Sequence, residues 1–268
     1  VDDEHYFNMT KLAVPLIWVP NVLSFLAYSC AKINRFPAEA LTIIAVTGTN
    51  GKTTVTHFIG QLLQRQKQQV MVIGTNGVYI NGERCEEHKV SLTTLQPKQM
   101  QALFQEAVSK EIGYVVLEAS SIGLQKHRLD YCDIDVGVFL NVTEDHLDEH
   151  GSFENYKLAK QILVTLAKQV IVNGDDAICR SIGFTKKGKR NFFGKGQHVD
   201  YFYQAIYEGN ANTTCLVQHK DEKYVVHMPF VGDYQCANVL AAISTLAQLG
   251  VSLEQLCRYS ETLNLPEG

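Results

Sequence analysis

No two of the seven cysteines stand closer than 21 residues apart, so the chain lacks any Cys-x-x-Cys pair for a zinc ribbon or a dithiol redox centre. An odd, scattered set of thiols is the pattern of a reduced, cytoplasmic protein. Basic excess is missing too. Against 28 Asp and Glu stand only 24 Lys and Arg, a net charge of −4, which leaves no positive field to hold a nucleic-acid backbone. Low-complexity tracts are absent, and 46% of the 268 residues are hydrophobic while 19% are charged, which excludes a disordered chain and predicts one large domain or two modest ones. An unbroken apolar span is lacking as well. Leu12 to Ala31 carries no charge and matches the ~20 residues of a membrane helix, but Pro15, Pro20 and Asn21 interrupt it. The segment predicts instead a short buried strand over Val14–Val19, then a helix from Asn21 to about Ile33 with Asn21 as its N-cap. Neither nucleic acid nor a membrane is expected as a partner. The start Val1-Asp2-Asp3-Glu4 has no basic signal-peptide region and no Met, so the chain is expected to be a piece of a longer protein.

What is present is an alternation. Short β-branched runs at Leu41–Val46, Gln69–Gly74, Tyr114–Leu117, Asp135–Leu140 and Gln169–Val172 are separated by helical segments. That predicts an α/β fold with a doubly wound, mostly parallel sheet, buried on both faces because the runs are almost continuously apolar. Between the second and third runs, Val78–Arg84 reads as a hairpin around Asn81-Gly82, a pair suited to a type I′ turn. From Tyr201 to Met228, three alternating segments leave no room for helices and predict a small antiparallel β subdomain. Two helices should follow, about Tyr234–Leu249 and Leu253–Tyr259.

The strongest chemical signal is Val46-Thr47-Gly48-Thr49-Asn50-Gly51-Lys52-Thr53-Thr54, set between a buried strand and a helix running to about Gln66. Glycines there let backbone amides approach phosphates, and the helix N-terminus favours anions. Lys52 would meet the β- and γ-phosphates, and the Thr53 hydroxyl would reach Mg²⁺. Only two residues separate Gly48 from Gly51, which departs from the usual P-loop and disfavours an ordinary kinase or GTPase, as does the absence of Asn-Lys-x-Asp. Glu118 ends another buried run, where it could hold Mg²⁺, cap the next helix or meet an arginine. The loop Asn141–His150 leaves a strand end with His146 and His150 four apart, open to zinc, to magnesium or to a plain solvated loop. On the helix Ser152–Lys168, a stripe of Tyr156, Lys160, Leu163 and Ala167 puts a lysine on the apolar side. A partly buried lysine can keep a neutral amine that takes up CO₂ as a carbamate, or it can snorkel to solvent.

Together these residues resemble the Mur ligase family, ATP-dependent amide ligases that build the peptide stem of peptidoglycan, over roughly residues 12–268. Thr47 to Thr54, with Gly48, Thr49, Asn50, Gly51, Lys52 and Thr53 between, look like the family's nucleotide loop. Asn141 to His146 look like its metal loop, and Tyr156 to Lys160 like its helix segment ending in a carbamylated lysine. Gly232 to Asn238 is similar to its motif near the adenine. The resemblance implies ATP and Mg²⁺ as cofactors, with Thr53, Glu118, His146 and carbamylated Lys160 as metal ligands. It implies Asn238 in nucleotide binding and Lys52, Lys160 and His146 in catalysis. Glu118 to Leu124 with Arg128 looks most like the branch that adds the third residue of the stem, so Thr93, Thr94, Ser120 and Arg128 would hold a UDP-N-acetylmuramoyl-peptide. Ile122, Lys126, Leu95 and Gln235 depart from the family pattern. The implied organisation is a remnant of the UDP-binding domain over 1–38, a central ATP-binding domain over 39–264, and the start of a linker to a third domain over 265–268. A cytoplasmic monomer acting with an amino acid as second substrate is expected. The rivals are a cyanophycin- or folylpolyglutamate-type ligase and a non-catalytic nucleotide-binding scaffold subunit.

Overall fold

The protein is described here from a computed structural model that covers residues 16–143 and 147–266. Helix α1 (Val22–Ile33) opens the described chain, and Asn21 caps it by accepting from the Ser24 amide at 3.0 Å. The expected strand over Val14–Val19 is not there: residues 16–19 have no strand partner, and 14 and 15 lie outside the described residues. Pro20 ends the segment, and the chain turns at once into α1. Apolar character without a neighbour to pair with does not make a strand.

A sheet then forms from β1 (Thr42–Thr47), β2 (Val70–Gly74), β3 (Gly77–Ile80), β4 (Glu83–Arg84), β5 (Tyr114–Glu118), β6 (Val136–Phe139), β7 (Gln169–Asn173), β8 (Arg190–Gly194), β9 (Tyr201–Glu208), β10 (Thr213–His219) and β11 (Glu222–Met228). The helices between and after them are α2 (Lys52–Arg65), α3 (Pro97–Ser109), α4 (Ser121–Gln125), α5 (Leu147–His150), α6 (Phe153–Leu166), α7 (Ala177–Phe184), α8 (Asp233–Gln248) and α9 (Leu253–Ser260). Among the described residues the strand order is β11-β10-β9-β8-β7-β6-β1-β5-β2-β3-β4. From β2 through β9 the sheet is parallel, with β3 and β4 added antiparallel at one edge and β10 and β11 at the other. The hairpin turn has the positive φ values its sequence calls for, 51° at Asn81 and 83° at Gly82. The antiparallel meander continues the main sheet, because β9 pairs in parallel with β8.

Two apolar layers flank the sheet. One gathers Phe58, Leu62, Leu240 and Leu256 from α2, α8 and α9 against Ile44 and Val46. The other gathers Phe104, Leu163 and Ile182 from α3, α6 and α7 against Ile43 and Ala45. Alternate β1 residues therefore feed opposite layers, and fully burying each Ile or Val side chain among them contributes about 1.5–3 kcal/mol. Helix α1 packs on α3 and is bonded to the chain beyond α4: Ser24 Oγ donates to Asp130 Oδ2 at 2.7 Å, and Asn21 Nδ2 lies 3.1 Å from His127 Nε2. Among the described residues no helix is long and apolar enough to cross a membrane.

Elements α7 and β8 were not legible in the sequence. Strand β8 reads Arg-Asn-Phe-Phe-Gly and has no β-branched residue; its partners β7 and β9 hold it extended.

Candidate functional site

Strand β1 sits between β5 and β6, which leave it on opposite sides, so the carboxyl ends of these strands form the crevice in which doubly wound sheets bind ligands. The loop Gly48–Gly51 crosses this edge into α2. Gly51 has φ +86°, and a Cβ there would come 2.8 Å from Asn238 Oδ1; at Gly48 it would come 2.9 Å from Leu140 Cβ. Only glycine fits both positions. The loop is fastened from β6: the Asn50 amide donates to Asn141 Oδ1 at 2.9 Å, Asn141 Nδ2 donates to the Asn50 carbonyl at 3.1 Å, and the Thr49 amide donates to the Asn141 carbonyl at 3.0 Å. Lys52 Nζ lies across the loop, donating to the carbonyls of Gly48 at 2.8 Å and Thr49 at 2.9 Å. The ammonium and the amides at the start of α2 thus share one small region, with the chemistry of an anion cradle.

Glu118 ends β5 and is 1% exposed. Its Oε1 accepts from Thr53 Oγ1 at 2.9 Å and from the Thr75 amide at 3.0 Å, and Thr75 Oγ1 lies 3.1 Å from its Oε2. These donors are neutral. A buried carboxylate held by neutral donors has much to gain from a divalent cation, and with the Thr53 hydroxyl it offers the hard oxygen donors that Mg²⁺ takes. His146, expected as a further ligand, lies outside the described residues. His150, which left zinc open, is buried, with Nε2 2.9 Å from Ser121 Oγ and its ring stacked edge-on near Tyr156.

Lys160 is 1% exposed, so its amine does not snorkel to solvent. Its Nζ lies 4.5 Å from the Tyr156 ring centroid, and the Tyr156 hydroxyl is 3.0 Å from Thr49 Oγ1 in the loop Gly48–Gly51. One helical turn therefore separates the buried amine from a side chain that touches the loop.

Thr94, Ser120 and Arg128 form one cluster beside Glu118. Thr94 is fully buried, accepts from the Ser120 amide at 2.8 Å, and places its Oγ1 2.9 Å from the Glu118 carbonyl and 3.0 Å from Ser120 Oγ. Arg128 Nη1 donates to the Thr94 carbonyl at 2.9 Å. Burial lowers the pKa of this guanidinium, which stays charged. Its buried Nε has no protein partner among the described residues, a donor suited to an anionic group. Thr93 joins through its hydroxyl, 3.1 Å from Thr75 Oγ1.

On the other side of the loop is a cleft of about 300 Å³ whose lining includes Thr54, Leu140, Asn173, Phe193, Tyr234 and Asn238. Asn238 Nδ2 donates to Gln235 Oε1 at 3.2 Å, so the residue standing where the family has Asn orients its neighbour. Sequence reasoning missed Thr75, Leu140, Asn173 and Phe193. Each stands at or just beyond a strand's carboxyl end, a signal usable only once the strands are known.

The family described as Mur ligase middle domain matches residues 46–246. The chain is 34% identical, over 92% of its length and 51% of the relative's, to UDP-N-acetylmuramoyl-L-alanyl-D-glutamate–2,6-diaminopimelate ligase 2 of Clostridium acetobutylicum. It is 36% identical, over 96% of its length and 53% of the relative's, to a ligase of the same name, without the numeral, from Chlamydia pneumoniae. A solved structure of a UDP-N-acetylmuramoyl-L-alanyl-D-glutamate–2,6-diaminopimelate ligase superposes with a TM-score of 0.85 at 29% identity, covering 97% of this chain and 54% of that one. The chain thus spans about half the length of the curated relatives it matches.

Proposed function

The chain belongs to the Mur ligase family, and on that premise we propose that it is the ATP-binding part of a ligase joining an amino acid to the terminal carboxylate of a UDP-N-acetylmuramoyl-peptide. The single observation that carries this reading is one of placement. The loop Gly48–Lys52, the Thr53–Glu118 pair and the Thr94–Ser120–Arg128 cluster share one edge of the sheet. Residues 39–264 form the ATP-binding domain, 1–38 the tail of a UDP-binding domain, and 265–268 the start of a linker to a third domain. We read the enzyme as a monomer and place it in the cytoplasm, a setting that suits ATP, a UDP-linked substrate and seven free thiols.

In this reading the amides from Thr49 to Thr54 and the Lys52 ammonium hold the β- and γ-phosphates, while Asn238 and the cleft beside it hold the nucleoside. Thr93, Thr94, Ser120 and Arg128 hold the muramoyl-peptide so that its carboxylate faces the γ-phosphorus. A carboxylate oxygen bonds to that phosphorus as the β–γ bridging bond breaks, leaving ADP and an acyl phosphate. The amine of the incoming amino acid then attacks the acyl carbon, and phosphate and a proton leave. Lys52 offsets charge that builds on the transferring oxygens. Mg²⁺ would be held by Thr53 and Glu118, with His146 and carbamylated Lys160 as the further ligands the family resemblance implies. When bound, it supplies charge neutralisation at the phosphates.

The test is turnover by the full-length protein. ADP and phosphate should appear in equal amounts only when ATP, an amino acid and UDP-N-acetylmuramoyl-dipeptide are all present. Turnover with a folate substrate, coupled to no competition by the UDP-sugar peptide, would overturn the reading.

A further inference from the structure

Asp176 stands 125 to 128 positions beyond the phosphate loop and bonds to none of its residues, yet the chain of hydrogen bonds that orients the loop ends on its carboxylate. We propose that Asp176 is a positioning residue for the phosphate loop, acting through the peptide unit that joins Asn141 to Val142.

The two oxygens of Asp176 have separate tasks. Oδ1 caps α7, accepting from the amides of Ile178 at 3.0 Å and Cys179 at 2.8 Å. Oδ2 reaches back 34 residues to accept from the Val142 amide at 3.0 Å. A cap needs only the first. The Val142 N–H belongs to the same planar peptide unit as the Asn141 carbonyl, and that carbonyl accepts from the Thr49 amide at 3.0 Å. A peptide unit resists twisting, so fixing its N–H fixes the direction of its C=O. It therefore works as a strut, gripped at one end by the carboxylate and carrying the loop at the other. The hydrogen bonds at its two ends also polarise each other, which strengthens both.

A second strut runs alongside. Asn173 Nδ2 donates to the Leu140 carbonyl at 2.8 Å, so the corner between β7 and α7 grips the corner after β6 at two points, Leu140 and Val142. Leu140 and Asn141 are the residues that meet the loop: Leu140 lies against Gly48 and Gly51, and the Asn141 side chain brackets Asn50. Val142 is 2% exposed, so without Asp176 its N–H would be a buried donor with no water to take the place of the lost acceptor. The corner would shift to find one, and Asn141 would carry Thr49 and Asn50 with it.

The consequence for nucleotide binding rests on the reading of Gly48–Lys52 as a phosphate loop, but the strut does not, so two measurements on the chain separate them. Asp176→Ser keeps an oxygen that can cap α7 but is too short to reach Val142 as well. Asp176→Asn keeps the cap through its oxygen and turns an N–H₂ toward the Val142 N–H. In both variants without ligand, amide hydrogen exchange at Thr49 and Asn50 should accelerate about tenfold. Exchange at Ile178 and Cys179 should stay within about twofold of the parent, since the cap remains. In calorimetry with Mg·ADP, both variants should bind about tenfold more weakly than the parent. Unchanged exchange at Thr49 and Asn50 overturns the proposal, as does faster exchange at all four positions together, which would mark a loosened α7. Failure of the parent itself to bind Mg·ADP would count against the phosphate-loop reading and leave the exchange result to decide the strut.

Discussion

Gly74 and Glu118 are in contact across the carboxyl ends of β2 and β5: a Cβ added at Gly74 would lie 2.1 Å from Glu118 Oε1. The strands bring them together, since Ile73 pairs with Leu117 in parallel register. Real Cβ atoms do not approach so closely, so Gly74→Ala must push the carboxylate off the Thr53 hydroxyl. We expect this variant to fold, with a stability loss of about 1–3 kcal/mol from overpacking, and to need higher Mg²⁺ for ADP binding. Calorimetry at stepped Mg²⁺ concentrations checks it, and parent-like Mg²⁺ dependence would count against Glu118 as a metal ligand.

Lys52→Ala should remove most Mg·ADP binding. Two of the ammonium's bonds are to carbonyls of its own loop, and the residue is only half-buried, so thermal stability should stay within about 1 kcal/mol of the parent. Equal affinity of variant and parent would show that the loop does not bind phosphates.

Lys160 is expected to act as a carbamate in the full-length enzyme. Its amine is buried beside Tyr156, and a cation so close to the loop would repel Mg²⁺, whereas a carbamate would attract it. Lys160→Ala should be nearly inactive, and short-chain carboxylic acids, which can place a carboxylate in the vacated space, should restore part of the activity. Full activity without added acid would end the idea.

His57 gives a pH dependence of stability unconnected with catalysis. Burial lowers its pKa from the ordinary value of 6.5, and its ring packs edge-on against Tyr79 at 4.7 Å. The unfolded chain therefore takes up a proton at a higher pH than the folded one. This contribution to stability is full above the unfolded value and falls as pH drops through 6.5 toward the lower folded value. Urea midpoints at pH 7.5 and about 5.5 should fall less for His57→Gln than for the parent. A parallel fall in both proteins would assign the acid sensitivity to other groups.

The corner from β1 through Gly48–Gly51 into α2 was readable because its parts are neighbours in sequence. Gly48, Gly51, Lys52 and Thr53 lie within six residues, and a strand pattern before them and a helix pattern after them leave one geometry for the turn. The place of Glu118 at a strand's carboxyl end was readable as well, because it closes a run of buried residues. The roles of Thr75, Asn173 and Phe193 were not readable. Nothing in Gly74-Thr75 says that β2 will lie beside β5, and the five residues of β8 have too little β-branched character to be found before β7 and β9 hold them.

Periodicity and turn chemistry therefore determined most of the elements, the strand–loop–helix corner at Gly48–Gly51 and the hairpin at Asn81-Gly82, since each depends on dihedral preference and on burial over a few residues. Tertiary structure alone decided which strand ends meet. Parallel pairing set Glu118 beside Gly74 and Thr53, packing of α6 buried the Lys160 amine below Tyr156, and the β7–α7 corner brought Asp176 to the Val142 amide. These contacts join residues tens of positions apart. Their free energy comes from burial and hydrogen bonds that exist only after the sheet has closed, and no local preference of the chain encodes them.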